Sequence, residues 1–311
     1  MLFKELLNAH LTDVALIVGN GINRYGSTGN GNAWEALLNS LAERRLGHAL
    51  ASKLTSNVSN LSLTEYYDML DLTAASGQSS SSLAFEFCEQ MAHWQPGPQH
   101  VAVTAWAESF GVPLLTTNFE TTLARAGGHR VRRITGAPFS DYYPWSTYFS
   151  RASLNAPAAG FGIWHINGVA LYPRSIRLGL AHYMGSVEKA RGWLYKGRGT
   201  RLFAGNGDGQ WRGATSWLDI LFHRALLFIG LELGPAEIFL RWLLIERARY
   251  FRRFPARRKS AWYVHAAKDL DAGKFAFLSA MGVAPFEVPD YEAMYGDQTW
   301  ALAAVAKVGS K

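Results

Sequence analysis

A doubly wound α/β fold with a mostly parallel sheet is what this chain predicts, on three observations. Short apolar runs recur along the 311 residues, and each stops at small or polar residues. Segments with helical spacing separate these runs, and strands alternating with helices build a parallel sheet covered on both faces. Finally, 49% hydrophobic and 18% charged residues describe a globular chain with enough length to bury a sizeable core.

The elements follow in order. Residues 3–11 read as a short helix. Val14 to Val18 is an unbroken apolar run, too short for a helix, and reads as a buried strand. It breaks at Gly19-Asn20-Gly21. Trp34 to Leu46 has helical spacing, with Leu37, Leu38 and Leu41 on one face. Residues 47–95 continue in helical or loop style and include the serine patch 79–82. About 30–110 is therefore expected as a helical insertion. Val112 to Thr116 is a strand, and Thr121 opens a helix. Residues 127–160, rich in Gly, Pro and Tyr, are expected to form a small irregular lobe. Gly162 to Ile166 is a further strand-like run before a tight turn. The glycine-rich residues 185–216 are expected to be mobile. Leu226 to Leu231 reads as a core strand, Pro235 to Phe251 as a long helix and Ala261 to His265 as a strand. Lys274 to Met281 is a helix and Pro285 to Val288 a last short strand. The expectation is one domain over 1–311, a Rossmann-like doubly wound parallel sheet carrying the insertion and the lobe.

Bulk properties narrow the function classes. The net charge of +7 suits an anionic ligand, a nucleic acid or an acidic partner equally. The single cysteine, Cys88, excludes an internal disulfide framework and a cysteine-based zinc cluster, and points to a reducing, cytoplasmic setting. Met1 to Leu6 is an amphipathic start rather than a signal peptide, and no stretch reaches the length of a membrane span. Eleven Trp and thirteen Tyr are many, and aromatics favour subunit interfaces.

The polar residues at the strand ends carry the chemistry. Val18 is followed by Gly19-Asn20-Gly21-Ile22-Asn23. A second run ends in Thr116-Thr117-Asn118-Phe119-Glu120, a third in Trp164-His165-Ile166-Asn167-Gly168 and a fourth in Ile229-Gly230-Leu231-Glu232. Open α/β sheets place ligands at such carboxyl ends. A hydride-transfer enzyme is disfavoured. Its fingerprint needs a third glycine where Arg24 stands, and an acidic strand end where the residues around Glu43 are helical. Asn118 is also a good residue to cap the helix from 121. Asp219 and His223 stand at i and i+4, which is poor evidence for a metal site.

Together the four segments resemble the sirtuin-like family, in the branch found in bacterial antiphage defence systems. Gly19-Asn20-Gly21-Ile22-Asn23 is similar to its first Gly-x-Gly loop, and Thr117-Asn118-Phe119-Glu120 to its Thr-Asn-aromatic-Asp motif. His165 corresponds to the catalytic histidine, and Gly230-Leu231-Glu232-Leu233 to the later loop that closes over the adenosine side. The motifs stand in the family's order over roughly residues 10–290. This chain departs by Asn23 for Ser, Glu120 for Asp, Glu232 for Ser and an extra Asn167 between His165 and Gly168. It also lacks the two Cys-x-x-Cys pairs of the deacylases, which disfavours protein deacylation.

The resemblance implies that NAD is the substrate and that its nicotinamide–ribose bond is broken; no metal is expected, because one cysteine cannot supply a thiolate cluster and no His pair sits near a carboxylate at a strong zinc spacing. Asn118 would orient water and a ribose hydroxyl, and His165, titrating near neutral pH, would act as general base. Gly19, Asn20, Gly21, Asn23, Thr117, Glu120, Gly230 and Glu232 would bind the cofactor. Backbone N–H groups after Gly19 and Gly21 would cradle the diphosphate at a helix start, and Gly21→Val is expected to harm NAD binding more than folding. Unregulated NAD loss is toxic, so a homo-oligomer or a separate sensor or activator subunit is expected. The alternative is a non-catalytic NAD- or ADP-ribose-binding subunit. The segment Arg241 to Lys259 reads first as a core-packed helix with a solvated basic end, then as a protein interface, then as a nucleic-acid contact.

Overall fold

The computed structural model describes residues 2–26, 32–48, 51–52, 61–73, 82–205 and 210–301. Strand β1 (Val14–Val18) is buried at every residue. Val14, Leu16 and Val18 enter one core, and Ala15 and Ile17 enter the core on the opposite face. An unbroken apolar run is what a strand covered on both faces requires. Along the chain follow β2 (Leu114–Thr116), β3 (Arg130–Arg133), β4 (Thr147–Ser150), β5 (Ile163–His165), β6 (Ala225–Ile229), β7 (Ala261–Ala266) and β8 (Ala284–Val288). They form one eight-stranded sheet in the order β3-β4-β5-β2-β1-β6-β7-β8.

From β5 to β8 all neighbours are parallel, and the order is that of a doubly wound dinucleotide fold. The chain leaves β1 towards β2 on one side and returns to β6 on the other, so the switch point lies between β1 and β6. Register aligns the carboxyl ends: Val18 pairs with Thr116 and with Ile229, and Thr116 pairs with His165. The four motifs therefore begin on one row, about 14 Å across at the usual spacing between strands.

The helices are α1 (Phe3–Ala9), α2 (Gly21–Arg24), α3 (Trp34–Leu46), α4 (Leu63–Thr73), α5 (Leu83–Met91), α6 (Pro98–Ser109), α7 (Thr122–Ala126), α8 (Leu180–Tyr195), α9 (Trp217–His223), α10 (Ile238–Arg253), α11 (Ala272–Ala280), α12 (Tyr291–Tyr295) and α13 (Asp297–Trp300). α1 and α6 cover one face of the sheet, through Phe3, Leu6, Val103 and Trp106. α8, α9 and α10 cover the other, through Ala190, Leu194, Leu221, Phe239 and Leu243.

α3, α4 and α5 form the insertion, with a core of their own built on Leu38, Leu41, Tyr66, Phe87 and Met91. Phe119, from the turn after β2, is its anchor: its ring lies 5.2 Å from Trp34 and 5.9 Å from Phe87. The insertion is shorter than the expected 30–110, because α6 packs on the sheet. Within the serine patch, 79–81 lie outside the described residues, while Ser82 caps α5 by accepting from the Phe85 N–H.

Two expectations need correction. Residues 127–160 are not wholly irregular: β3 and β4 pair antiparallel there and extend the sheet. The Arg-Val-Arg-Arg of β3 hid it, because an edge strand keeps charge on its exposed side. The stretch 185–216 is helical as far as Tyr195, with Gly185 and Gly192 inside α8. Burial of Ser186, Ala190 and Leu194 outweighs the poor helix propensity of glycine. Residues 206–209 lie outside the described residues. No helix among the described residues is long and apolar enough to cross a membrane.

Candidate functional site

The glycine loop crosses the β6 exit. Gly19 N–H donates to the Ile229 carbonyl at 2.9 Å, and Gly21 N–H to the Gly230 carbonyl at 2.8 Å. A Cβ on Gly21 would stand 2.7 Å from Gly230 Cα and 2.9 Å from the Gly230 carbonyl oxygen. Gly230 itself has φ +63, a conformation that favours glycine. These glycines are therefore required by the approach of two backbones. The N–H groups of Gly19 and Gly21 themselves are bonded within the chain, the Ile22 N–H turns back to the Gly19 carbonyl at 3.4 Å, and α2 behind them is a single four-residue turn.

Asn118 and His165 meet at the ends of β2 and β5. Thr116 Oγ1 accepts from the Asn118 N–H at 3.1 Å and donates to the Val18 carbonyl at 2.8 Å, which fixes the turn. The Asn118 side chain does not cap α7; its Nδ2 faces the Gly19 carbonyl at 3.4 Å. Its Oδ1 is buried without a partner. The Asn118 carbonyl accepts from His165 Nδ1 at 2.7 Å. A carbonyl only accepts, so Nδ1 carries the proton and Nε2 bears the free lone pair. That Nε2 is buried without a partner. Burial pushes the His165 imidazole down to about 4, against the pull of the Asn118 carbonyl. The ring is thus neutral at physiological pH rather than titrating near it.

Asn167 is buried at 2% exposure, and its Oδ1 also lacks a partner. Its amide lies near Glu237, which precedes α10 at the end of the β6 loop. Glu237 Oε2 is shut off from solvent with no partner. Burial and the charge of Glu232 push this carboxyl up to about 7, while the Asn167 amide works the other way. Glu232 is exposed at the mouth of the same loop.

Asn23, Glu120 and Asn20 are bonded to one another. Asn23 Nδ2 donates to Glu120 Oε1 at 2.6 Å and to Asn20 Oδ1 at 2.8 Å. Glu120 Oε2 accepts from the Thr122 N–H at 3.3 Å, so both of its oxygens are engaged. His100 completes the cluster: its Nδ1 accepts from the Gly97 N–H, and its Nε2 therefore donates to Asn23 Oδ1 at 2.9 Å. Burial raises the Glu120 carboxyl above its usual range. Thr117 is buried and its N–H reaches the Val18 carbonyl at 3.3 Å. These residues brace the glycine loop against β2.

The sequence reading missed Glu237 and His100. Glu237 fell inside the helix expected over Pro235 to Phe251, with no motif around it, and only the fold brings His100 within reach of Asn23.

A concavity of about 670 Å³ lies elsewhere, at the amino ends of β7 and β8, with Arg252, Arg258, Trp262 and Met281 in its lining. Beside it, Arg247 is an internal strut. It is buried and donates to the carbonyls of Leu221, Arg224, Lys259 and Ser260. Asp219 bridges His223 and the Trp211 indole, each at 2.9 Å, as a structural clasp. No family model and no curated protein matches this chain.

Proposed function

We propose that this chain is an NAD-consuming hydrolase that cleaves the nicotinamide–ribose bond, acting as a regulated effector of antiphage defence. One observation carries the chemistry. Asn118 Oδ1, His165 Nε2 and Asn167 Oδ1 are buried hydrogen-bond acceptors without partners, gathered at the carboxyl ends of two neighbouring strands beside the switch point. Buried acceptors of this kind call for a ligand rich in donors. The hydroxyls of a ribose, an attacking water and a carboxamide are such donors; a phosphate is not. The residues therefore fit the nicotinamide–ribose end of NAD.

In the reaction the C1′–N bond breaks and its electron pair stays on the pyridine nitrogen, so nicotinamide leaves neutral. The sugar develops oxocarbenium character, as in glycoside hydrolysis. Asn118 Oδ1 orients the incoming water, whose oxygen bonds to C1′, and His165 Nε2 accepts its proton. The neutral ring is in the form required of a base. The products are nicotinamide, ADP-ribose and a proton. Control by self-association or by a separate activator subunit belongs to this reading, because unregulated NAD loss would kill the host.

The test is release of nicotinamide from NAD by the purified chain, and cellular NAD when the chain is expressed with its genomic neighbours. Stoichiometric release supports the reading. NAD binding without any turnover, alone or with the neighbours, would leave a non-catalytic NAD-binding subunit instead.

A further inference from the structure

We infer that Glu237 is a further catalytic residue of this site, its carboxylate serving as the counter-charge to the cation that develops on the ribose as nicotinamide leaves. This rests on the hydrolase reading above. Geometry carries it. Glu237 ends the loop that leaves β6 at the switch point, next to the glycine crossing. That loop is held firmly. Gly230 and Leu233 turn it with φ of +63 and +52, the latter uncommon for a residue with a side chain. Tyr263 Oη donates to the Leu231 carbonyl at 2.6 Å, and Arg241 Nη1 to the Leu233 carbonyl at 2.8 Å. Glu237 N–H itself donates to the Gly234 carbonyl at 3.0 Å.

The carboxylate thus placed has no structural employment. It makes no cap to its own helix. No Arg, Lys or His pairs with it among the described residues, and Oε2 is buried without a partner. The Asn167 amide, two residues beyond His165, is close enough to pull this carboxyl down. Glu120, the buried carboxylate at the strand ends, has both oxygens occupied and is spent on bracing. Glu237 as a whole is half-buried, but its Oε2 is buried without a partner, and such unpaired oxygens are costly to keep and concentrate at functional sites. Around it stand Glu232, the buried Tyr183 and, beyond that tyrosine, Arg177. His165 is neutral, so it does not cancel the charge of an ionised Glu237. A fixed negative charge in a closed site is what an oxocarbenium-like transition state needs. Glu237 acts in its ionised form, which prevails above about pH 7.

Glu237→Gln keeps the shape and an acceptor for Asn167 while removing the charge. The experiment measures kcat, KM and NAD affinity of the chain and its variant from pH 5 to 9. Wild type should show an acid limb in kcat/KM near pH 7, where Glu237 ionises. The variant should lose on the order of a hundredfold in kcat at pH 8, bind NAD within a few-fold of wild type, and lack the limb. Glu237→Asp should retain the limb with intermediate activity. Melting gives a readout independent of turnover. A carboxyl raised in the folded state adds stability below its unfolded value of about 4.5 and loses it as pH rises through 7. The melting temperature of Glu237→Gln should therefore gain on wild type by several degrees between pH 5 and pH 8. Full kcat with an unchanged limb in a folded Glu237→Gln would overturn the inference while leaving the hydrolase reading intact. Absence of NAD cleavage by wild type, alone or with its genomic neighbours, would overturn both.

Discussion

His165 shows how one side chain is set by its surroundings. The Asn118 carbonyl fixes the tautomer and burial keeps the ring neutral. His100 is likewise pushed down to about 4 by burial, while the Gly97 N–H occupies its Nδ1. The sign of the stability effect follows. A histidine lowered in the folded state contributes stability that is present above its unfolded value of about 6.5 and lost as pH falls through 4. The unfolding free energy from urea curves should lose on the order of 3 kcal/mol for each ring as pH falls from 6 to 4. Carbon–nitrogen NMR should find both rings neutral at pH 5.5; a protonated ring at that pH would refute the assignment. Asn118→Ala and His165→Ala should each reduce NAD cleavage by on the order of a hundredfold. Because the two act in one step, the double variant should lose far less than the product of the single losses. Multiplicative losses in steady-state kinetics would mean that the residues act separately.

At the scale of elements, the crossing of the β1 and β6 exits and the strut inside α10 are the points to break. Gly21→Val would drive a branched side chain into the Gly230 backbone, so the expected primary effect on ligand binding gives way to one on folding. Chemical denaturation should show a loss of about 3 kcal/mol or more; a variant of native stability that fails only to bind NAD would restore the original expectation. Arg247→Met should cost on the order of 2–3 kcal/mol by stranding buried carbonyls. Arg252→Ala, on the solvated face of the same helix, should stay within about 0.5 kcal/mol. Equal losses in the two denaturation curves would rule out the division of the basic segment into strut and surface.

Across the whole molecule, the site draws on residues 19–23, 118–120, 165–167 and 230–237, which only the completed sheet brings to one row. Such a site depends on global order, and its control is expected at the level of assembly. Turnover per subunit should rise with concentration or with an added partner, followed by mass photometry beside nicotinamide release. A fully active monomer at nanomolar concentration would contradict control by assembly.

What the chain determined by itself was local. Unbroken runs such as Val14–Val18 and Ala225–Ile229 are buried on both faces, so their composition alone marks central parallel strands. Small and polar residues after those runs marked the end of the sheet where the candidate site stands. The edge pair β3 and β4 escaped notice because half-exposed charged strands carry no such mark. The tertiary structure alone decided the chemistry of individual groups. It spent Glu120 and Asn23 on bracing and left Glu237 unpaired. It gave His165 a free Nε2 and committed the glycine N–H groups to the β6 exit. The physical reason is range. Apolar periodicity acts between neighbours in the chain, whereas the bonds between Asn23 and Glu120 or Asn118 and Gly19 join residues 97 and 99 positions apart. Which donors and acceptors find partners, and which remain free, is therefore fixed only when the sheet register closes.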